Sequence, residues 1–280
     1  MDSHVYAAVL FAALLHAGWN SVLKIGLDRL STVYMLSLVQ AAIAIPILPL
    51  IDPPIWSATW PWLVLAAVLH TGYKVFLIQA YAHADLSQAY PLARGTAPLI
   101  VAIVSAAFLG TQFTSLSVLS IALISGGVIV MAFGGKSAKP MNSRALFYAL
   151  GTAAFTASYT LADGIGARAS GSASAFILWM VIGDAIGMTI YTLTVRKRSP
   201  WTAIATAWKP GLAAGAMSLG SYWIAIWAFT VAPIALVAAL RESSILFAVL
   251  IAALALRENV TVRRWISAAA IALGVVIMKA

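Results

Sequence analysis

Cysteine is absent from the 280 residues of this chain. Disulfides, thiolate catalysis and cysteine metal sites are therefore excluded, and redox chemistry says nothing about compartment. Charge is almost as scarce, at 9% of residues with only 8 Asp and Glu, against about 25% in a water-soluble domain. A chain so poor in charge cannot cover a solvated surface. Also missing are a GxxxxGK[ST] nucleotide loop, an HExxH zinc motif and a convincing serine, histidine and carboxylate set. Neither nucleotide-driven work nor intramembrane hydrolysis has its expected residues. No catalytic residue, metal ligand or cofactor is expected.

What is abundant is apolar: 62% of residues are hydrophobic and the mean hydropathy is +0.97. Ten segments are each able to cross a hydrocarbon core of about 30 Å as a helix: 5–25, 32–50, 61–82, 87–109, 116–133, 145–162, 173–195, 209–230, 233–256 and 262–278. The first opens without a basic n-region and carries His16, Asn20 and Lys24, so it reads as a true span rather than a cleaved signal. An all-α integral membrane protein follows, with nothing left over for a soluble domain.

The basic residues assign an orientation. Lys24, Arg29, Lys136, Lys139, Arg144, Arg196, Lys197, Arg198, Lys209, Arg257, Arg263 and Arg264 fall on one side of the predicted spans, and Arg168 and Lys279 on the other. Such a bias retains the basic loops in the cytoplasm. It places the chain in a membrane of the bacterial inner-membrane kind with both termini outside. The net charge of +9 is spread over short juxtamembrane loops, for which anionic lipid headgroups are a sufficient partner and nucleic acid is not needed. Monomer and homodimer both stay open.

The chain also repeats itself. Residues 1–135 and 143–280 read as two five-helix units joined by 136–142. A shift of about 140 lays Trp19, Ile25 and Gly26 on Tyr159, Ile165 and Gly166. A shift near 147 lays Arg94 on Arg241, Leu109 on Leu256, Thr114 on Thr261, Ser120 on Ser267, Gly127 on Gly274, Val128 on Val275 and Met131 on Met278. An odd number of helices per unit makes the second enter from the opposite side, so the repeat is inverted, the arrangement that places a substrate site at the midplane between halves.

Four runs carry a family resemblance: LHAGWN at 15–20 with Lys24, YPLARGTAP at 90–98, SYTLADG at 158–164 and APIALVAALRE at 232–242. They resemble EamA-type proteins of the drug/metabolite transporter superfamily across essentially the whole chain. The resemblance implies ten helices in two inverted repeats, a central cavity and transport of small metabolites such as amino acids, with no particular substrate. The family's better-known exporters are described with both termini inside. The basic loops here place both termini outside.

Charges at bilayer depth cost about 2.5–3.5 kcal/mol each and should face a partner or a wet cavity. Lys74, Arg94, Asp184, Arg241 and Glu242 qualify. Inverted symmetry brings Arg94 and Arg241 toward one region, where two guanidinium groups favour an anion such as a carboxylate or phosphonate. Alternatively they are internal glue, Arg241 pairing with Glu242 or Asp184 and Arg94 with backbone carbonyls. Lys74 shares a helical stripe with His70, Tyr73, Leu77 and Tyr81; it either faces the cavity or snorkels. His16, Trp19, Asn20, Tyr90, Tyr159, Trp179, Tyr222 and Ser244 complete the expected substrate-binding set, with packing as the alternative for the aromatic residues. Asp163, Asp184 and Glu242 are the candidates for proton coupling or gating. Asp163 is expected at the outer end of the sixth helix, before a break at Gly164 to Gly166. The function expected is secondary transport of a small anionic or zwitterionic metabolite by alternating access. A flippase-like route for an amphiphilic or lipid-linked substrate is the alternative within transport, and a membrane sensor or assembly factor the alternative outside it.

Overall fold

The computed structural model describes residues 1–22, 28–84, 86–132, 141–196, 201–254, 257 and 260–279. Segment ends at Ile25, Phe133 and Leu256, the loop cations Lys24, Lys136, Lys139, Lys197 and Arg198, and most of the link 136–142 lie outside the described residues. The first unit contributes α1 (Ser3–Val22), α2 (Arg29–Ile47), α3 (Trp56–His83), α4 (Leu86–Phe108) and α5 (Ser115–Ala132). The second contributes α6 (Ser143–Ser170), α7 (Ala173–Val195), a short α8 (Trp201–Thr206), α9 (Trp208–Val231), α10 (Ile234–Arg241), α11 (Ser244–Leu254) and α12 (Val262–Lys279). Among the described residues nine spans are long and apolar enough to cross a membrane, with α10 and α11 counting as one span, Ile234–Leu254. The tenth is α12, whose Arg263, Arg264 and Lys279 sit at its two ends. This is the all-α, ten-span architecture of two inverted five-helix repeats.

Local chemistry sets the helix ends. Asp28 caps α2 by accepting from the Ser31 amide on Oδ1 at 3.1 Å and from the Ser31 hydroxyl on Oδ2 at 2.7 Å, and Arg196 after α7 donates to the same Oδ2 at 2.6 Å. Burial works to raise the Asp28 carboxyl, but the Ser31 bonds and the Arg196 guanidinium outweigh it and hold it below its ordinary value. Asn142 caps α6 and Ser172 caps α7 through the amides three residues on. Between those two helices Gly171 takes φ +70°, the left-handed turn that lets a helix stop without a Cβ clash. The α9 to α10 corner is made by Ala232, extended as a residue before proline should be, and Pro233. Arg168 reaches across to the Phe229 and Ala232 carbonyls at 2.8 and 2.9 Å, satisfying the end of α9.

Two expectations are corrected. First, α6 runs unbroken through Gly164 and Gly166 to Ser170. These glycines are packing notches: a Cβ at 164 would meet Ile234, and one at 166 would meet Phe176 and Trp62. Asp163 therefore lies inside a helix and not at its end. Second, the ninth span is interrupted at Glu242 and Ser243, where the amides bond carbonyls three residues back and the α-helical ladder stops.

The inverted repeat is visible in packing. Helices α5 and α12 cross so that a Cβ at Gly127 would come within 3.0 Å of the Ser267 carbonyl and of Ile271, while one at Gly274 would come within 2.9 Å of the Ser120 carbonyl and 2.8 Å of Ile124. Each contact is the other shifted by one repeat. Likewise Gly183 and Gly187 of α7 receive Ala67 and Thr71 of α3, while Gly211 and Gly215 of α9 receive Met35 and Val39 of α2. Small residues permit this approach where lipid supplies no hydrophobic drive between helices. The two chain ends meet on one side, through Lys279 donating to the Ser3 hydroxyl and Tyr6 to the Val275 carbonyl, each at 2.7 Å.

Candidate functional site

Between the repeats lies a cavity of about 100 Å³ whose lining includes His16, Trp19, Gln40, His70, Tyr73, Lys74, Arg94, Tyr159, Asp184, Ser218, Tyr222 and Arg241. That is several times the space one ordered water needs. The lining comes from α1, α2, α3, α4, α6, α7, α9 and α10, so neither repeat can form it alone. The stripe on α3 faces it, as i, i+3 and i+4 spacing dictates for His70, Tyr73 and Lys74. Arg94 and Arg241 both reach it, as symmetry predicts.

Its charges are paired unevenly. Arg94 grips Glu242 across the repeats in a bidentate fork, Nε to Oε2 at 3.0 Å and Nη2 to Oε1 at 2.9 Å. Lys74 pairs with Asp184 and donates to the Ser37 hydroxyl at 2.7 Å. Asp163, fully buried, shares its Oδ2 between His70 Nε2 at 2.8 Å and the Tyr222 hydroxyl, with no lysine or arginine bonded to it. The second oxygens of Asp163 and Asp184 have no hydrogen-bond partner among the described residues. Arg241 is buried, its guanidinium carbon 4.8 Å above the Tyr222 ring, and it makes no ion pair among the described residues. Arg241 thus makes neither ion pair that the glue alternative gave it, because Arg94 and Lys74 hold Glu242 and Asp184. Arg94 likewise uses a carboxylate where backbone carbonyls were the alternative.

Aromatic rings form one wall. His70 stacks on Tyr159 with centroids 4.1 Å apart, and Tyr73 and Tyr222 meet Tyr159 edge-on at 5.4 and 6.2 Å. His16 and Trp19 meet edge-on at 5.1 Å, and Trp19 Nε1 is buried without a partner among the described residues. Asn20, Tyr90 and Ser244 lie apart from this space, lining a second cavity that His16 also borders. Trp179 is outside both: it is 36% exposed and packs edge-on against Trp56. Sequence reasoning missed Ser37, Gln40, Ser218 and Ser221. Gln40 donates to Ser218 at 3.0 Å and Ser221 to the Ala12 carbonyl at 2.7 Å. Polarity at depth in α2 and α9 was their signal.

Two oppositely threaded units enclosing a charged central chamber define an inverted-repeat membrane transporter. The particular family is also fixed: the EamA-like transporter family matches residues 4–133 and 143–279, and the chain belongs to it. Its members are transporters of the drug/metabolite superfamily. A protein of known crystal structure, 17% identical, aligns over 99% of this chain and 96% of its own with a TM-score of 0.78, which shows the fold. No curated protein gives a significant match.

Proposed function

We propose that the chain is a secondary transporter of a small anionic or zwitterionic metabolite, such as an amino acid, carboxylate or phosphonate, carried through the central cavity by alternating access. One observation supports this above the rest: Arg241 faces the cavity with no ion-paired carboxylate among the described residues, beside a wall of aromatic rings. An incoming carboxylate would complete its bidentate bonding. Proton coupling belongs to the same reading, with Asp163 as the proton-carrying group because Asp184 and Glu242 are already held by cations. The basic loops face the cytoplasm and anionic lipid, with both termini outside.

A second reading rests on an apolar groove of about 580 Å³ between α3 and α7, lined by Val64, Val68, Ile186 and Ile190. It suits an acyl chain, as a flippase-like route requires. No residue lines both this groove and the central cavity among the described residues, which favours the first reading.

The test is a thermal-shift panel of amino acids, carboxylates, phosphonates and short-chain lipids on purified protein, since a ligand of the native state raises its stability. An anion should stabilise the protein, and Arg241→Gln should weaken that binding by about 10- to 100-fold, the loss of a charged hydrogen bond of about 1.5–3 kcal/mol. Stabilisation by lipids alone, or equal response in Arg241→Gln, would contradict the reading.

A further inference from the structure

The second cavity, about 270 Å³, is lined by His16, Asn20, Ser21, Tyr81, Tyr90 and Ser244 with apolar residues of α1 and α11. None of its lining residues is an Asp, Glu, Lys or Arg, yet a guanidinium group lies near each of its two tyrosines. Arg29, at the start of α2, sits 4.7 Å from the Tyr81 ring centroid, and Arg94 lies 6.0 Å from that of Tyr90. The Ser244 hydroxyl is buried without a partner among the described residues. This vestibule and the central cavity are separated by one helical turn. On α4, Tyr90 lines the vestibule and Arg94 the central cavity; on the other repeat, Ser244 lines the vestibule and Arg241 the central cavity. Within that layer the bidentate Arg94 and Glu242 pair joins the repeats, and His16 borders both spaces. Glu242 sits in the turn between α10 and α11, where a few backbone angles suffice to swing it. A buried ion pair is a poor stabiliser and calls for another role.

We propose that this vestibule is the entry compartment for small organic anions and that the Arg94 and Glu242 pair is the gate between it and the central cavity. An arriving anion attracted by Arg29 replaces Glu242 on Arg94 and then passes to Arg241, each guanidinium lying near a tyrosine ring. The inference rests on the anion reading above, but its test needs no transported substrate.

The cysteine-free chain allows single thiols to be placed at will. Membrane-impermeant methanethiosulfonate reagents, anionic or cationic, are added from one face to Ser244→Cys and Ser218→Cys, with rates normalised to a free thiol. Ser244→Cys should react from the Arg29 face, at least tenfold faster with the anionic reagent, and Arg29→Gln should erase that preference. Ser218→Cys should be protected from the same face, and Glu242→Gln should speed its labelling at least tenfold. Arg94→Lys, which breaks the fork while keeping the charge, should give an intermediate rate and serves where Glu242→Gln fails to fold. Equal labelling of Ser218→Cys with and without the gate substitution, an unreactive Ser244→Cys, or no anion preference would overturn the proposal. Gated labelling in a protein that binds no anion in the thermal-shift panel would overturn the transport reading and leave the gate standing.

Discussion

Of the carboxylates described around the central cavity, Asp163 alone is bonded to neither a lysine nor an arginine, and under the proposed proton coupling it is the residue that would carry the proton. His70 and Tyr222 both donate to one of its oxygens and leave the other free. Asp163→Asn keeps the shape and one acceptor but carries no proton. Proteoliposomes of this variant should lose uptake driven by a pH gradient while retaining substrate counterflow, measured with the same labelled substrate. Loss of neither would remove Asp163 from coupling. At this scale the sequence was partly legible. Lys74, Arg94, Asp184, Arg241 and Glu242 could be read as charges at depth and the repeat register brought Arg94 and Arg241 together, but the buried Asp163 was placed at a helix end. Which cation held which carboxylate could not be read, because Lys74 finds Asp184 and Arg94 finds Glu242 across more than a hundred intervening residues. Trp179 shows the opposite error: an aromatic residue within a span is as well placed to meet Trp56 at an exposed end as to wall a cavity.

Elements are held by close glycine crossings, and α5 with α12 is the sharpest case. Gly127 would drive a side chain into the Ser267 carbonyl, whereas its neighbour Gly126 has nothing within 4 Å of a Cβ. Gly127→Val should lower the midpoint of thermal unfolding by several degrees, consistent with overpacking of about 1–3 kcal/mol. Gly126→Val should leave it nearly unchanged. Equal effects would deny that this crossing is tight. Spans were legible as apolar runs, but their interruptions were not. Gly164 and Gly166 suggested a break where α6 is continuous, since a glycine that admits Ile234 looks the same in sequence as one that ends a helix. The real break falls at Glu242 and Ser243, residues with no special backbone preference; the charge that must reach Arg94 sits there instead.

At the scale of the whole molecule, the repeats interleave rather than stand side by side: α3 packs on α6 and α7, and in the inverted counterpart α9 packs on α1 and α2. The related crossings differ in strength. The α3 to α7 crossing carries the Lys74 and Asp184 ion pair, while the α2 to α9 crossing carries a neutral bond from Gln40 to Ser218. Under the proposed alternating access, this difference in chemistry would let the two related crossings part in turn. The central claim is that a small anion crosses the membrane through the chamber and is carried past Arg241. Its most direct measurement is flux of a labelled anion, chosen by thermal shift, into proteoliposomes bearing the native chain or Arg241→Gln. Saturable uptake by the native protein with at least a tenfold loss in the variant is the predicted result. Uptake that is unchanged by Arg241→Gln, in a variant that inserts and folds normally, would contradict it.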